Sequence, residues 1–364
     1  MQSLYDIFGR LIERILNELH NRLIVDPLGF PFIEIPGDRL YLPYLISFIV
    51  ISIGIYATGA KRTPGAQTGL GGFLKFMFPR EIFLHKSATT DYKFYVINRL
   101  FGFLFLSWLG GVGIFAGVAT AASLEALFGQ VTSEWSTGAI NFLGIVYFIA
   151  TALAADLGRF LSHFLHHKSK FFWEFHKVHH SAEVLTPITN YRFHPAEKIL
   201  MSSITGITSG IVIGLFYFLF GESVKTPDFL MVTALNVGIL DFAFRITSNH
   251  RHSHIWLSYG PVLEHVFLSP AQHVIHHSNE ARHLDTNMGL LFSIWDWMAG
   301  TLYVPQGREE FSMGLQNGEH VEYHSVLRLY LLPIRKAFAV LTAGLKKSTG
   351  RYPQTETQDR SDRT

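Results

Sequence analysis

The chain has 364 residues, 48% hydrophobic and only 16% charged, with a formal net charge of +2. Globular proteins carry about 25% charged residues, so much of this surface is not built to face water, and so small a net charge gives no field for a nucleic-acid partner. Cysteine is absent, which excludes thiolate metal sites, disulfides and cysteine nucleophiles and leaves nineteen histidines as the available nitrogen ligands.

Residues 1–39 form an N-terminal amphipathic region. Leu4, Ile7, Phe8, Leu11, Ile12, Ile15, Leu16 and Leu19 recur at helical spacing, while Glu13, Arg14, Asn17 and Glu18 take the other face. Charge interrupts the apolar run, so the segment reads as an amphipathic helix and not as a signal peptide. Five stretches, at about 40–60, 101–124, 139–161, 199–220 and 228–246, reach the roughly 20 apolar residues that a bilayer span requires. Two pairs of them read as hairpins.

Lys61, Arg62, Lys75, Arg80, Lys86, Lys93 and Arg99 mark the segment 61–99 as cytoplasmic, whereas the link 125–139 has Glu125 and Glu134 but no Lys or Arg. On that count the polar regions 162–198 and 247–290, which hold most of the histidines, lie on the cytoplasmic side. The expectation is an all-α fold: multi-pass transmembrane helical hairpins over residues 40–347, capped by a cytosolic helical domain that holds a histidine-rich di-metal site. Residues 348–364 are polar and charged and are expected to be disordered.

The third span runs into Asp156-Leu-Gly-Arg-Phe-Leu-Ser-His163-Phe-Leu-His166-His167. On a helix, positions 156, 163 and 167 share one face. His163 and His167 then project as a pair, and Asp156, deeper in the membrane, is a candidate to orient a ligating imidazole. The competing reading pairs Asp156 with Arg159 and gives it no link to metal.

His176, His179 and His180 follow at spacing i, i+3, i+4, and the same arrangement returns as His273, His276 and His277. On the order of 0.05 such triplets are expected by chance in a chain this long, so two copies are a specific signal. Between them stand His250, His252 and His254, of which one or two are expected to bind metal, with His252 the candidate. The pair, the triplets and His252 give nine imidazoles, too many for a single four-coordinate zinc and suited to two metals.

Imidazole serves Fe, Zn, Cu and Ni alike. A zinc hydrolase would carry a general-base carboxylate within its motif, as in H-E-x-x-H, and neither triplet has one, which favours redox chemistry. The alternatives are a metal-dependent lipid-modifying enzyme without O2 chemistry and a membrane metal-handling protein. Transporters place ligands inside helices near the midplane, whereas these triplets lie beyond the spans.

In order and spacing these residues resemble the fatty acid hydroxylase/sterol desaturase superfamily of integral membrane enzymes. The resemblance covers about residues 95–305 and takes in Asp156, His163, His167, both triplets, Arg192-Phe-His194-Pro195-Ala-Glu197, His252-Ser253, Pro270, Asn287-Met-Gly289 and Trp295-Asp296. Phe164 and Met288 depart from the usual Arg and Tyr. The resemblance implies two irons (zinc being a possible occupant), O2, and oxidation of a C–H bond in a lipid such as a sterol or fatty acyl chain. It also makes His194 a candidate catalytic residue, as a ligand or a ligand's partner; the competing reading is a loop histidine satisfied by Glu197. No His-Pro-Gly-Gly haem segment is present, so electrons are expected from a separate protein: a reductase, a ferredoxin or a cytochrome b5-like donor.

Overall fold

The structure, a computed structural model, describes residues 39–62, 69–101, 103–131, 137–221 and 244–348. All but a few residues of the N-terminal amphipathic region, the fifth span and the polar tail lie outside the described residues. Within them the fold is all-helical, with no strand and two isolated bridges, Phe267 with Phe292 and Ser278 with Met313. In chain order the helices are α1 Leu42–Arg62, α2 Gly69–Met77, α3 Arg80–Phe83, α4 Lys86–Phe101, α5 Phe103–Phe128 and α6 Thr137–Lys168. They continue as α7 Lys170–His180, α8 Pro195–Phe220, α9 Pro270–His276, α10 Ile294–Ala299 and α11 Val326–Ser348.

Four windows are long and apolar enough to cross a membrane: Leu42–Gly59, Gly111–Phe128, Phe142–Lys168 and Pro195–Phe220. They turn apolar side chains outward, among them Ile46, Val50 and Ile53 of α1, Phe115 and Leu127 of α5, Phe142 and Ile149 of α6, and Ile207 and Ile211 of α8. Such a surface is costly in water and at home in hydrocarbon.

α8 packs along both α5 and α6, so the arms of the first predicted hairpin meet mainly through it. Glycines permit the approach. A Cβ at Gly210 would lie 2.3 Å from the carbonyl oxygen of Gly113, one at Gly214 2.3 Å from that of Gly117, and one at Gly158 2.3 Å from Thr208 Oγ1. Small residues at such an interface let backbones touch where lipid supplies no hydrophobic drive. The packing fixes the ends of α6 and α8 relative to each other, and both carry residues of the site.

α6 continues past the predicted end of its span to Lys168, so His163 and His167 project from its last turns. Ser169 caps α7 by accepting from Phe172 N. Arg192, fully buried, ties the end of α7 down: its guanidinium pairs with Asp91 of α4 and donates to Val178 O, Ser181 Oγ and Tyr323 O. α11 covers α7 and α4 through a core of Phe94, Val178, Tyr323, Leu329 and Leu332. Ser269 and Gln272 form a capping box, with Pro270 in the first turn, that starts α9 and presents the second triplet.

Candidate metal centre

The nine predicted imidazoles converge, and they do so as two groups. His163, His167, His176, His180 and His276 form one; His179, His252, His273 and His277 form the other, with ligand-capable atoms within 4.8 Å of one another in each. Each triplet is divided between the two. In α7 the i, i+4 pair His176/His180 serves the first group and His179 the second; around α9 His273/His277 serve the second and His276 the first. The two short helices thus exchange one histidine each.

The Nε2 atoms meet at close range. His252 Nε2 lies 3.2 Å from His179 Nε2, 3.1 Å from His273 Nε2 and 3.2 Å from His277 Nε2. In the first group His176 Nε2 is 3.0 Å from His163 Nε2 and 3.1 Å from His180 Nε2. A ring nitrogen carries either one proton or one lone pair, so three such neighbours cannot all be hydrogen-bonded to it. A shared cation satisfies every one of them. Two nitrogens each about 2.0–2.1 Å from a cation sit about 2.8–3.0 Å apart at a right angle and about 3.3–3.4 Å apart at the tetrahedral angle; the spacings here fall between the two. The residues fit a metal pair.

Acceptors on the far side hold the first group's rings. His163 Nδ1 donates to Met288 O at 2.7 Å, His276 Nδ1 to Thr286 O at 2.7 Å, His176 Nδ1 to Glu197 Oε1 at 2.6 Å and His167 Nδ1 to Asp285 Oδ1 at 3.2 Å. A carbonyl can only accept, so it fixes the Nδ1–H tautomer and leaves the Nε2 lone pair toward the centre. The second group differs: Nδ1 of His179, His252, His273 and His277 is buried with no hydrogen-bond partner.

Three of those four acceptors come from one loop, residues 285–288, in which Asp285 and Asn287 take left-handed backbone conformations, φ 58° and 55°. Two carboxylates brace the stretch that follows. Asp296 accepts from Met288 N and Gly289 N, both at 2.7 Å; Asp156 accepts from Leu291 N, Phe292 N and Trp295 Nε1, each at 3.0 Å. Asp156 therefore supports the loop that supports His163, and none of these three hydrogen bonds reaches an imidazole. His194 differs likewise from its expected place. Its Nδ1 accepts from Ala196 N as the cap of α8 and its Nε2 donates to Tyr330 O at 3.1 Å, while Glu197 turns to His176. His250 contacts Ser52 Oγ and His254 donates to Phe76 O, so of the middle three His252 alone joins a group. Asn287-Met-Gly289 stands in the family resemblance, but the acceptor role of the carbonyls of Thr286 and Met288 is not legible in sequence, because a backbone carbonyl carries no residue-type signal; Glu197 partners His176 and not His194.

Burial sets the protonation. It holds His176, His179, His180, His252, His273 and His276 well below the usual imidazole range, with neighbouring imidazoles adding to it, and pushes His277 down to about 3. All are neutral near pH 7, the form a metal requires. Asp285 goes the other way: the His167 hydrogen bond, and then Lys168, hold it at about 2.

Two cavities reach the cluster. One is walled by groups of the spanning helices such as Arg159, Ser162 and Met201 together with Phe193, Met288 and Leu290, and touches His163, His176, His179, His252 and His273. The other is lined by Lys168, Lys170, Trp173 and Asp285 and touches His167, His180 and His276 from the polar cap.

Fold and site define a multi-span helical membrane protein with a buried cluster of nine imidazoles able to hold metal. Residues 148–301 match the fatty acid hydroxylase family model, so over that stretch the chain carries a fatty acid hydroxylase domain. It is similar to the ornithine lipid hydroxylase OlsE of Rhizobium tropici, 26% identical over 202 residues, or 55% of this chain and 52% of that protein. It is also similar to the alkylglycerol monooxygenase of Caenorhabditis elegans, 26% identical over 177 residues, or 49% of this chain and 31% of that protein. The chain thus spans about half, or less, of the length of these relatives. No solved structure matches it.

Proposed function

We propose that the chain is an oxidoreductase that hydroxylates or desaturates a membrane lipid with O2 at a centre of two irons held by the nine imidazoles. The observation that carries this is the convergence of three imidazole nitrogens on His252 Nε2, within 3.2 Å, which hydrogen bonding cannot satisfy. Neither histidine triplet carries the general-base carboxylate of a zinc hydrolase motif, which favours redox chemistry and so iron. The relatives, a lipid hydroxylase and an alkylglycerol monooxygenase, support a lipid substrate.

When bound and reduced, the irons would supply the activation of O2 needed to attack an unactivated C–H bond. The protein's own part is positional. His163, His167, His176, His180 and His276 would hold one iron and His179, His252, His273 and His277 the other. Met288 O, Thr286 O, Glu197 and Asp285 keep four of the rings in the ligating tautomer. Phe193, Met201, Met288 and Leu290 give the cavity on the span side an apolar wall, which admits an alkyl chain and excludes bulk water. The polar cavity beside Lys170 and Trp173 is the side from which an external electron-transfer protein would deliver two electrons, and the charge pattern of residues 61–99 supports a cytoplasmic position for it.

The test is the full chain purified in neutral detergent. Two irons per chain, and O2 consumption on adding lipid and a reducing partner with a product heavier by one oxygen or lighter by two hydrogens, are expected. A folded protein that takes up no transition metal sinks the proposal; zinc uptake without O2 consumption moves it to the non-oxidative alternative.

A further inference from the structure

The cavity on the span side is walled by Arg39, Arg159 and Arg251, against a single lining carboxylate, Glu197, which is engaged with His176. Arg251 is 1% exposed. It donates to Leu290 O and Leu268 O, and its Nε is buried without a partner, as is Nη1 of Arg39. Buried guanidinium N–H groups normally find acceptors, and leaving them bare in a low dielectric is costly. Positive charge also accumulates here: burial, then Arg251, with Arg245 and Arg159 adding, hold Arg39 down to about 9, still protonated near pH 7. An apolar wall with donors left over on one side is the shape of a site for an amphiphile.

We propose that Arg39 and Arg251, with Arg159, bind the anionic head group of the substrate lipid, a carboxylate or a phosphate, within the cavity that touches the histidines. The inference rests on the lipid-oxidising reading and names its substrate class. A guanidinium fork matches either anion in two-pronged fashion, which an ammonium does not. Because the arginines wall the same cavity as His252 and His273, the head group is held beside the centre. The oxidised carbon then lies within a few bonds of the head and not at the far end of the chain.

The experiment measures binding to the purified full chain in neutral detergent, with dodecanoate, dodecyl phosphate, dodecanol and dodecyltrimethylammonium as probes. Metal-loaded and metal-stripped protein are compared, so that coordination of the anion to a cation is separated from the arginines. Either anion is expected to bind about tenfold or more tightly than the alcohol, since a hydrogen bond between charged groups is stronger than one to a neutral hydroxyl. The preference persists without metal, falls about tenfold in Arg39→Gln, and partly returns in Arg39→Lys. Equal binding of anion and alcohol, or an unchanged preference in a folded Arg39→Gln, overturns the proposal. A higher affinity for the phosphate or for the carboxylate identifies the head group. Two irons and O2 consumption with a neutral lipid, without any anion preference, would sink this inference and leave the lipid-oxidising function standing.

Discussion

Glu197, in the first turn of a spanning helix, accepts a 2.6 Å hydrogen bond from His176 Nδ1 on the helix before it, and both side chains are buried. The contact joins a spanning helix to α7 at one of the nine converging imidazoles. Replacing its carboxyl group by an amide of the same shape, as in Glu197→Gln, is expected to weaken metal binding about 10–100-fold, the usual cost of losing a ligand's hydrogen-bond partner. Metal content after dialysis against graded chelator measures it. Retention equal to wild type would show that His176 needs no such partner.

Asp156 acts at one remove. Its three hydrogen bonds hold Leu291, Phe292 and Trp295, and so the loop whose Met288 carbonyl orients His163. Asp156→Asn, unable to accept all three, should destabilise the fold by about 2–3 kcal/mol, as hydrogen bonds to a charged group do. It should also lower metal content less than His276→Ala does. Thermal unfolding and metal analysis on the same preparation decide between this and a direct role at the metal, which would reverse the order.

The two metal positions should not be equivalent. Four of five rings in the first group are held through Nδ1, whereas all four rings in the second lack a partner there. Stepwise chelation is expected to remove metal from the second group first, leaving an intermediate with one metal per chain. Simultaneous loss of both would contradict the asymmetry.

Acid should destabilise the metal-free protein. The buried imidazoles of His176, His179, His180, His252, His273, His276 and His277 are held below the ordinary value of about 6.5, with His277 near 3. Between the folded and unfolded values the unfolded chain binds more protons, so stability rises with pH. Their contribution is complete above about pH 6.5 and is lost progressively below it. The melting temperature of stripped protein should fall between pH 7.5 and 5.5; a flat or rising profile would contradict the burial.

Sequence alone determined the four spans that fall within the described residues and the nine imidazoles that converge. An apolar run of bilayer length has few other uses, and histidines at i, i+3 and i+4 must share a helical face whatever the helix packs against. Only the tertiary structure decided how they are shared. Helical spacing sets His176, His179 and His180 in one stripe, but the division of that stripe between two centres depends on where His163, His252 and His276 arrive from other stretches of chain. The same holds for Asp156, whose partners lie more than a hundred residues away, and for the carbonyls of Thr286 and Met288. A backbone oxygen is chemically alike at every position, so what it holds is set by the three-dimensional path of the chain.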